Sequence, residues 1–252
     1  MRKSLLVLVV VLASSVVFAQ EAAAPASPAR DLSSGFPTSV IDTVTAPASK
    51  FVFGAAGSYI TDGGTYEAGL VALTYGITDT VQAFADWPLI LGEGHVTGNF
   101  DTVLGLTWAA LKEEGSMPAL GLEVAAKFPT GYGFTGYDGT LTGIATKSFG
   151  EVRGILNASY TTIGKAGDGG KHHTDAFALG VDYMVVDNVD LIVDVVSMMA
   201  PVSGADRIDL AQVGVRAALT DVDILSVGVS AGIGNGNATP DFIGTVGYQR
   251  SF

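Results

Sequence analysis

From residue 51 onward, apolar side chains fall on every second position over segments of about ten residues. Phe177, Leu179, Val181, Tyr183 and Val185 alternate with Ala176, Ala178, Gly180, Asp182 and Met184. Leu120, Leu122, Val124, Ala126 and Phe128 alternate with Ala119, Gly121, Glu123, Ala125 and Lys127. The pattern returns in Val227, Val229, Ala231 and Ile233 against Ser226, Gly228, Ser230 and Gly232, and in Val152, Leu156, Ala158 and Tyr160 against Glu151, Arg153, Asn157 and Ser159. One face of each segment is greasy and the other small or charged. No stretch after residue 50 carries apolar residues at helical spacing over three turns, and none approaches about 18 unbroken apolar residues, so helical bundles and inner-membrane helices are excluded. Dyad segments of this length specify an all-β fold, a transmembrane antiparallel up-and-down β-barrel of the bacterial outer-membrane type. A soluble β-sandwich would have to explain an outward greasy face on nearly every strand.

Twelve such segments can be counted, at 51–60, 65–75, 80–89, 101–111, 117–128, 141–149, 151–163, 174–185, 189–200, 206–219, 223–233 and 241–252. The number is even, as a closed antiparallel barrel with both ends in the periplasm requires. The connections sort by parity. Every second one is tiny and most carry an acidic turn residue: Gly76-Ile77-Thr78-Asp79, Lys112 to Ser116, Gly150-Glu151, Val186-Asp187-Asn188 and Thr220-Asp221-Val222. Asp and Asn suit tight turns because they tolerate left-handed backbone and bond their own chain. These are expected on the periplasmic rim. The others, Pro88 to Phe100, Pro129 to Thr140, Gly164 to His173, Pro201 to Ala205 and Gly234 to Pro240, are mostly longer and rich in Gly, Asn and Pro, with Asp62-Gly63-Gly64 a short exception, and should face outward. Aromatics agree: Phe51, Tyr75, Trp108, Phe149, Tyr183 and Phe252 fall near the inner ends, and Tyr59, Trp87, Phe128 and Tyr160 near the outer ends, as two interfacial girdles require.

The amino terminus gives an address. Arg2 and Lys3 precede the apolar run Leu5 to Val17, and Val17-Phe18-Ala19 offers small residues at a signal-peptidase site, so residues 1–19 are expected to be a cleaved signal peptide. Residues 20–50, opening with an Ala/Pro/Ser tract, are expected to form a flexible periplasmic leader able to plug a barrel spanning 51–252. The chain has 25 acidic against 13 basic residues, which makes nucleic acid a poor partner. It has no cysteine, hence no disulfide or thiolate metal site. Its 33 glycines, spread without a period, are close to twice the roughly 7% of ordinary chains.

The stretch Gly35-Phe36-Pro37-Thr38-Ser39-Val40-Ile41-Asp42-Thr43, then Lys127-Phe128-Pro129-Thr130-Gly131, then Ala145-Thr146-Lys147-Ser148-Phe149-Gly150, resembles the outer-membrane barrels of the meta-pathway of phenol degradation family. The resemblance spans residues 35–252. It implies a barrel of about twelve strands and transport of small compounds, aromatic ones included, and carries over no defined binding residues. The chain also ends on Phe252 after Tyr248, which resembles the carboxy-terminal signal read by the outer-membrane assembly machinery; Arg250 departs from it by placing a charge on the lipid-facing parity.

Catalytic and cofactor chemistry finds little support. The histidines, His95, His172 and His173, all fall in expected outer loops, without a rigid shell to hold an imidazole against a partner, and adjacent loop histidines point different ways. Gly131-Tyr132-Gly133-Phe134-Thr135-Gly136 matches the dinucleotide fingerprint by letter, but no helix follows it to present an amino terminus to a pyrophosphate. Asn157-Ala158-Ser159 and Asn237-Ala238-Thr239 fit the glycosylation triplet, the first inside a strand. No enzyme activity, cofactor or metal is expected.

Function should therefore sit in the lumen. Parity points Asp86, Glu123, Lys127, Arg153, Asp182, Asp194 and Arg216 inward, among Gly, Ala, Ser and Thr. These could be internal ion pairs that fill the barrel or a polar constriction that selects solutes. Glu123, Lys127, Arg153, Asp194 and Arg216 are expected to form the narrowest ring. Leu70 and Leu73 sit on opposite faces, as do Ile192 and Val193, which anticipates bulges or an apolar lumen patch suited to an aromatic or lipidic solute. The expected function is passive passage of small molecules through the outer membrane, with outer-membrane lipid, the assembly machinery and a small solute as partners. The competing expectation is a non-conducting structural or adhesive barrel acting through its outer loops.

Overall fold

The computed structural model describes residues 28–32, 37–61, 65–92, 95–131, 136–165, 170–233 and 239–252. The expected signal peptide, residues 20–27 of the leader, the Asp62–Gly64 connection, the middle of the Gly131–Gly136 motif and Asn237-Ala238 lie outside the described residues. The described residues form thirteen strands: β1 (Phe51–Thr61), β2 (Thr65–Thr78), β3 (Val81–Gly92), β4 (His95–Asn99), β5 (Thr102–Leu111), β6 (Ala119–Phe128), β7 (Asp138–Phe149), β8 (Val152–Ile163), β9 (His173–Val186), β10 (Val189–Met198), β11 (Ile208–Ala218), β12 (Asp223–Gly232) and β13 (Phe242–Ser251). All paired strands run antiparallel and neighbours in chain order pair, except that β4 pairs only β3 and β3 pairs β5 past it; β1 pairs β13 from Val52↔Ser251 to Thr61↔Phe242, so twelve strands close on themselves. This is an outer-membrane β-barrel. Among the described residues, closure gives each of the twelve wall strands a partner on both sides, as the hydrocarbon core requires.

The alternation decides which side faces lipid. Phe177, Leu179 and Val181, Val213 and Val215, and Val227 and Val229 point outward and are exposed, while their neighbours in sequence point into the lumen. Such a belt belongs against hydrocarbon. Phe51, Trp108, Tyr183 and Phe252 stand exposed near one rim and Tyr59, Trp87 and Tyr160 near the other. The first rim carries the tight turns and both ends of the barrel, and is the periplasmic one in barrels of this type. Its turns are made locally: Gly150 takes φ 64° between β7 and β8, and Thr220 Oγ1 accepts from Val222 and Asp223 N–H at 3.2 and 3.0 Å between β11 and β12. Arg250 points to the lipid side there, paired with Asp223 at 3.1 Å.

Two departures from the sequence reading have physical reasons. The segment Pro88–Phe100 is not a plain loop: β3 continues through Leu89, Ile90 and Leu91 to Gly92, and β4 returns beside it, because apolar residues on the pleat extend the hairpin beyond the part of β3 that pairs β5. Similarly, β2 does not stop at Tyr75 but runs to Thr78, with a register shift between Gly76 and Thr78. At Gly76 a Cβ would lie 2.1 Å from the carbonyl oxygen of Pro47, so glycine is what lets the leader backbone lie against that strand.

Candidate functional site

The described leader residues, 28–32 and 37–50, lie in the barrel and along its periplasmic rim. Ala29, Leu32, Val40 and Ala46 are wholly buried, as is Asp42 at 1% exposure, although none of them belongs to a strand. Starting from β1, the segment leaves along the periplasmic rim, where Ala48 bridges Gly76 and Thr45 Oγ1 donates to the Asp79 carbonyl at 3.1 Å. Ala46 N–H donates to Gln82 Oε1 of β3 at 2.7 Å. The chain then crosses the bore. Ile41 makes two bonds with Asn157 of β8, its N–H donating to Oδ1 at 2.9 Å and its carbonyl accepting from Nδ2 at 2.8 Å. Ser39 and Val40 N–H donate to Asp194 Oδ2 of β10 at 2.9 and 3.1 Å. Pro37 lies against β11 and β12, and residues 28–32 lie beside β8 to β11.

Five wall glycines mark this path. Besides Gly76, a Cβ at Gly121 would meet Thr43 Cγ2 at 3.2 Å, at Gly180 Val40 Cγ2 at 2.9 Å, at Gly214 Pro37 Cγ at 2.3 Å, and at Gly228 Pro37 Cβ at 2.9 Å. The wall is recessed where the leader runs. Hydrophobic contact completes the fit: Leu32 and Val40 pack with Ile155, Ala178, Ile192, Val196 and Leu210, and Met198, Ile208 and Ile243 border the cluster. Burying each large side chain of such a cluster contributes about 1.5–3 kcal/mol.

Charge is concentrated at the periplasmic half. Arg153 Nη1 pairs with Asp42 Oδ2 at 2.9 Å, and its Nη2 donates to Asp182 Oδ2 and to the Arg30 carbonyl, each at 2.5 Å. Arg30 in turn donates to the Glu151 carbonyl at 2.6 Å and sits 3.5 Å from Asp182 and 3.8 Å from Asp190. Arg216 donates to Gln249 Oε1 at 3.3 Å, and Gln249 Nε2 to Asp31 Oδ2 at 3.2 Å. Leader and wall thus exchange charges of both signs, which offsets part of the cost of burying them. Burial pushes the Asp42 carboxyl up to about 6, against the pull of the Arg153 guanidinium and aided by Asp31.

All seven residues expected in the lumen lie on inward-facing positions, but they occupy different heights. Arg153, Asp182 and Arg216 belong to the leader-bound cluster near the periplasmic strand ends. Asp194 and Glu123 are mid-strand, Asp194 against the leader and Glu123 accepting from Thr107 Oγ1 at 3.0 Å. Asp86 faces the lumen half-buried on β3. Lys127 stands at the outer end of β6, 3.4 Å from Asp101 and 2.6 Å from Asp138. The five residues expected to form one ring therefore do not share one level, because parity fixes the face of a strand and not its height in a tilted barrel. Arg30, Asp31, Asp42, Gln82, Asn157, Asp190 and Gln249 were not among the expected site residues. The inward parity of Asn157 with Arg153, of Asp190 with Asp194, and of Gln82 with Asp86 was available to find three of them. His172 and His173 are exposed at the outer rim, where the His173 ring stacks on Tyr160 at 5.6 Å.

No protein-family model matches the sequence, and no curated relative aligns with it significantly. Solved structures do resemble it. An outer-membrane channel from Pseudomonas putida F1 superposes with a TM-score of 0.65 at 16% identity, covering 84% of this chain and 98% of that one. The KdgM porin in complex with disordered oligogalacturonate superposes with a TM-score of 0.57 at 11% identity, covering 81% of this chain and 99% of that one. At such identities the likeness establishes a common outer-membrane barrel fold.

Proposed function

We propose that the protein is a passive outer-membrane channel for small solutes, with its leader held in the bore as a removable constriction. The observation that carries this reading is that the lumen accommodates a folded polypeptide segment instead of being filled by its own strand side chains. Eight-stranded barrels fill with side chains and 16-stranded ones hold water; this bore holds residues 28–32 and 37–46, which are not part of the wall. The finer reading is passage of small, partly hydrophobic compounds, aromatic ones included. It is supported by the inward apolar strip of Ile155, Ile192, Val196 and Leu210, by Phe84 lying over Gly105 on the inner wall, and by the resemblance to the meta-pathway family. The inward charges Asp86, Glu123, Lys127, Arg153, Asp182, Asp194 and Arg216 would set ion preference from three heights, and Tyr248 with Phe252 would serve assembly. Secretion through a cleaved signal at 1–19 belongs to the same reading.

Single-channel recording in a planar bilayer tests it, with the full mature chain and with residues 20–50 removed. The expectation is low or intermittent conductance for the first and steady, ion-selective conductance for the second. Silence from both, in preparations with heat-modifiable gel migration, would refute the channel. It would favour a structural barrel acting through its outer loops, a second reading supported by the ion pairs and apolar contacts that bind the leader across the bore.

A further inference from the structure

The contacts of Ser39 to Asp42 follow a regular order. On β10, Asp194 accepts two successive backbone N–H groups, from Ser39 and Val40. On β8, Asn157 reads both backbone groups of the next residue, Ile41. One residue further, Arg153 holds the carboxylate of Asp42 at 2.9 Å. The Val40 side chain enters the recess left by Gly180 against Ile192. Of these contacts, the first four are to main chain, which any peptide possesses. With the leader in place Asp194 and Arg153 are at 1% and 6% exposure and Asn157 at 5%, so the segment closes these groups off from solvent.

We propose that this inner wall of β8 and β10 is a peptide-binding site in its own right, occupied in cis by the leader and open in trans to short peptides. The ligand class is a bent segment of three to five residues with an apolar side chain followed two positions later by a carboxylate. The site does not require that the barrel conduct; a peptide could equally enter and remain.

The tethered leader competes at the millimolar effective concentration of a short linker, so the site must be vacated to be read. Full-length protein carrying Gly214→Ala, which drives a Cβ into Pro37, serves that purpose, and Val40→Asp, which sets a charge against Ile192, does so by a different route. The probe is the fluorescein-labelled peptide Ser-Val-Ile-Asp-Thr, followed by fluorescence anisotropy on whichever variant has a leader verified as released by proteolysis. Saturable binding at or below millimolar peptide is expected, at least tenfold weaker for the reversed sequence and at least tenfold weaker when Asn157→Leu is added. Absence of saturable binding to the vacated barrel, or equal binding of the reversed peptide, overturns the proposal. Conductance measured on the same samples is a separate readout: binding without current removes the channel and leaves the site, and current without binding does the reverse.

Discussion

Replacing Gly214 by alanine should open the barrel without weakening it. The added methyl would sit 2.3 Å from Pro37 Cγ, well inside the roughly 3.5–4.0 Å of ordinary carbon contact. Pro37 is a rigid ring flanked by Gly228 on the next strand, so the leader must give way. Overpacking of this kind costs about 1–3 kcal/mol, which falls on the docked state alone and shifts docking by roughly 5- to 150-fold. The wall itself gains, because alanine in a strand is about 0.5–1 kcal/mol better than glycine. The chain has no cysteine, so a single Thr38→Cys reporter, buried at 7% exposure, reads the released fraction through its rate of reaction with a maleimide. Gly214→Ala should raise that rate by one to two orders of magnitude. Gly57→Ala makes the same chemical change on the lipid face, where a Cβ meets nothing within 4 Å, and should leave it unchanged. An unaltered rate in a folded Gly214→Ala barrel would refute the claim that the leader is seated by steric fit.

Docking should also depend on pH. A free aspartate titrates near 3.8 and docked Asp42 near 6, so the docked state binds the proton more tightly; the contribution is complete below pH 4 and is lost as pH rises through 6. Open probability in the bilayer should accordingly be higher at pH 7.5 than at pH 5, and an identical profile in Asp42→Asn would exclude Asp42 as the source. On the outer surface, Val227→Arg places a charge mid-strand against lipid and should cost about 2–4 kcal/mol in reversible denaturant unfolding; a cost below about 1 kcal/mol would contradict the assigned lipid face.

The strands were legible because the membrane imposes a simple rule. Every Phe177, Leu179, Val181 row must face hydrocarbon, and the acidic and asparagine turns at Asp79, Asp187-Asn188 and Asp221 must reverse the chain, so period and punctuation together give the wall nearly residue by residue. The leader obeys no such rule. Its bonds join Asp42 to Arg153 and Ser39 to Asp194, pairs more than a hundred residues apart, and nothing local in an irregular segment announces them. Heights were equally hidden: Lys127 and Arg153 share a face, yet one pairs Asp138 near the outer rim and the other Asp42 near the inner one. The surplus of glycine was visible from the start. Its use was not, because a recess is recognised only when what lies in it is known.

That recess ties the history of two distant parts of the chain together. Gly121, Gly180, Gly214 and Gly228 form a mould for Thr43, Val40 and Pro37, and a mould restricts its casting as much as the casting restricts it. A descendant that enlarged one of these glycines would have to rewrite the leader in the same step or abandon it. A leader exchanged from another barrel would arrive as a foreign key. Within a lineage, loss of the segment would release the glycines to drift, so their erosion would be the surviving trace of a stopper that was once there.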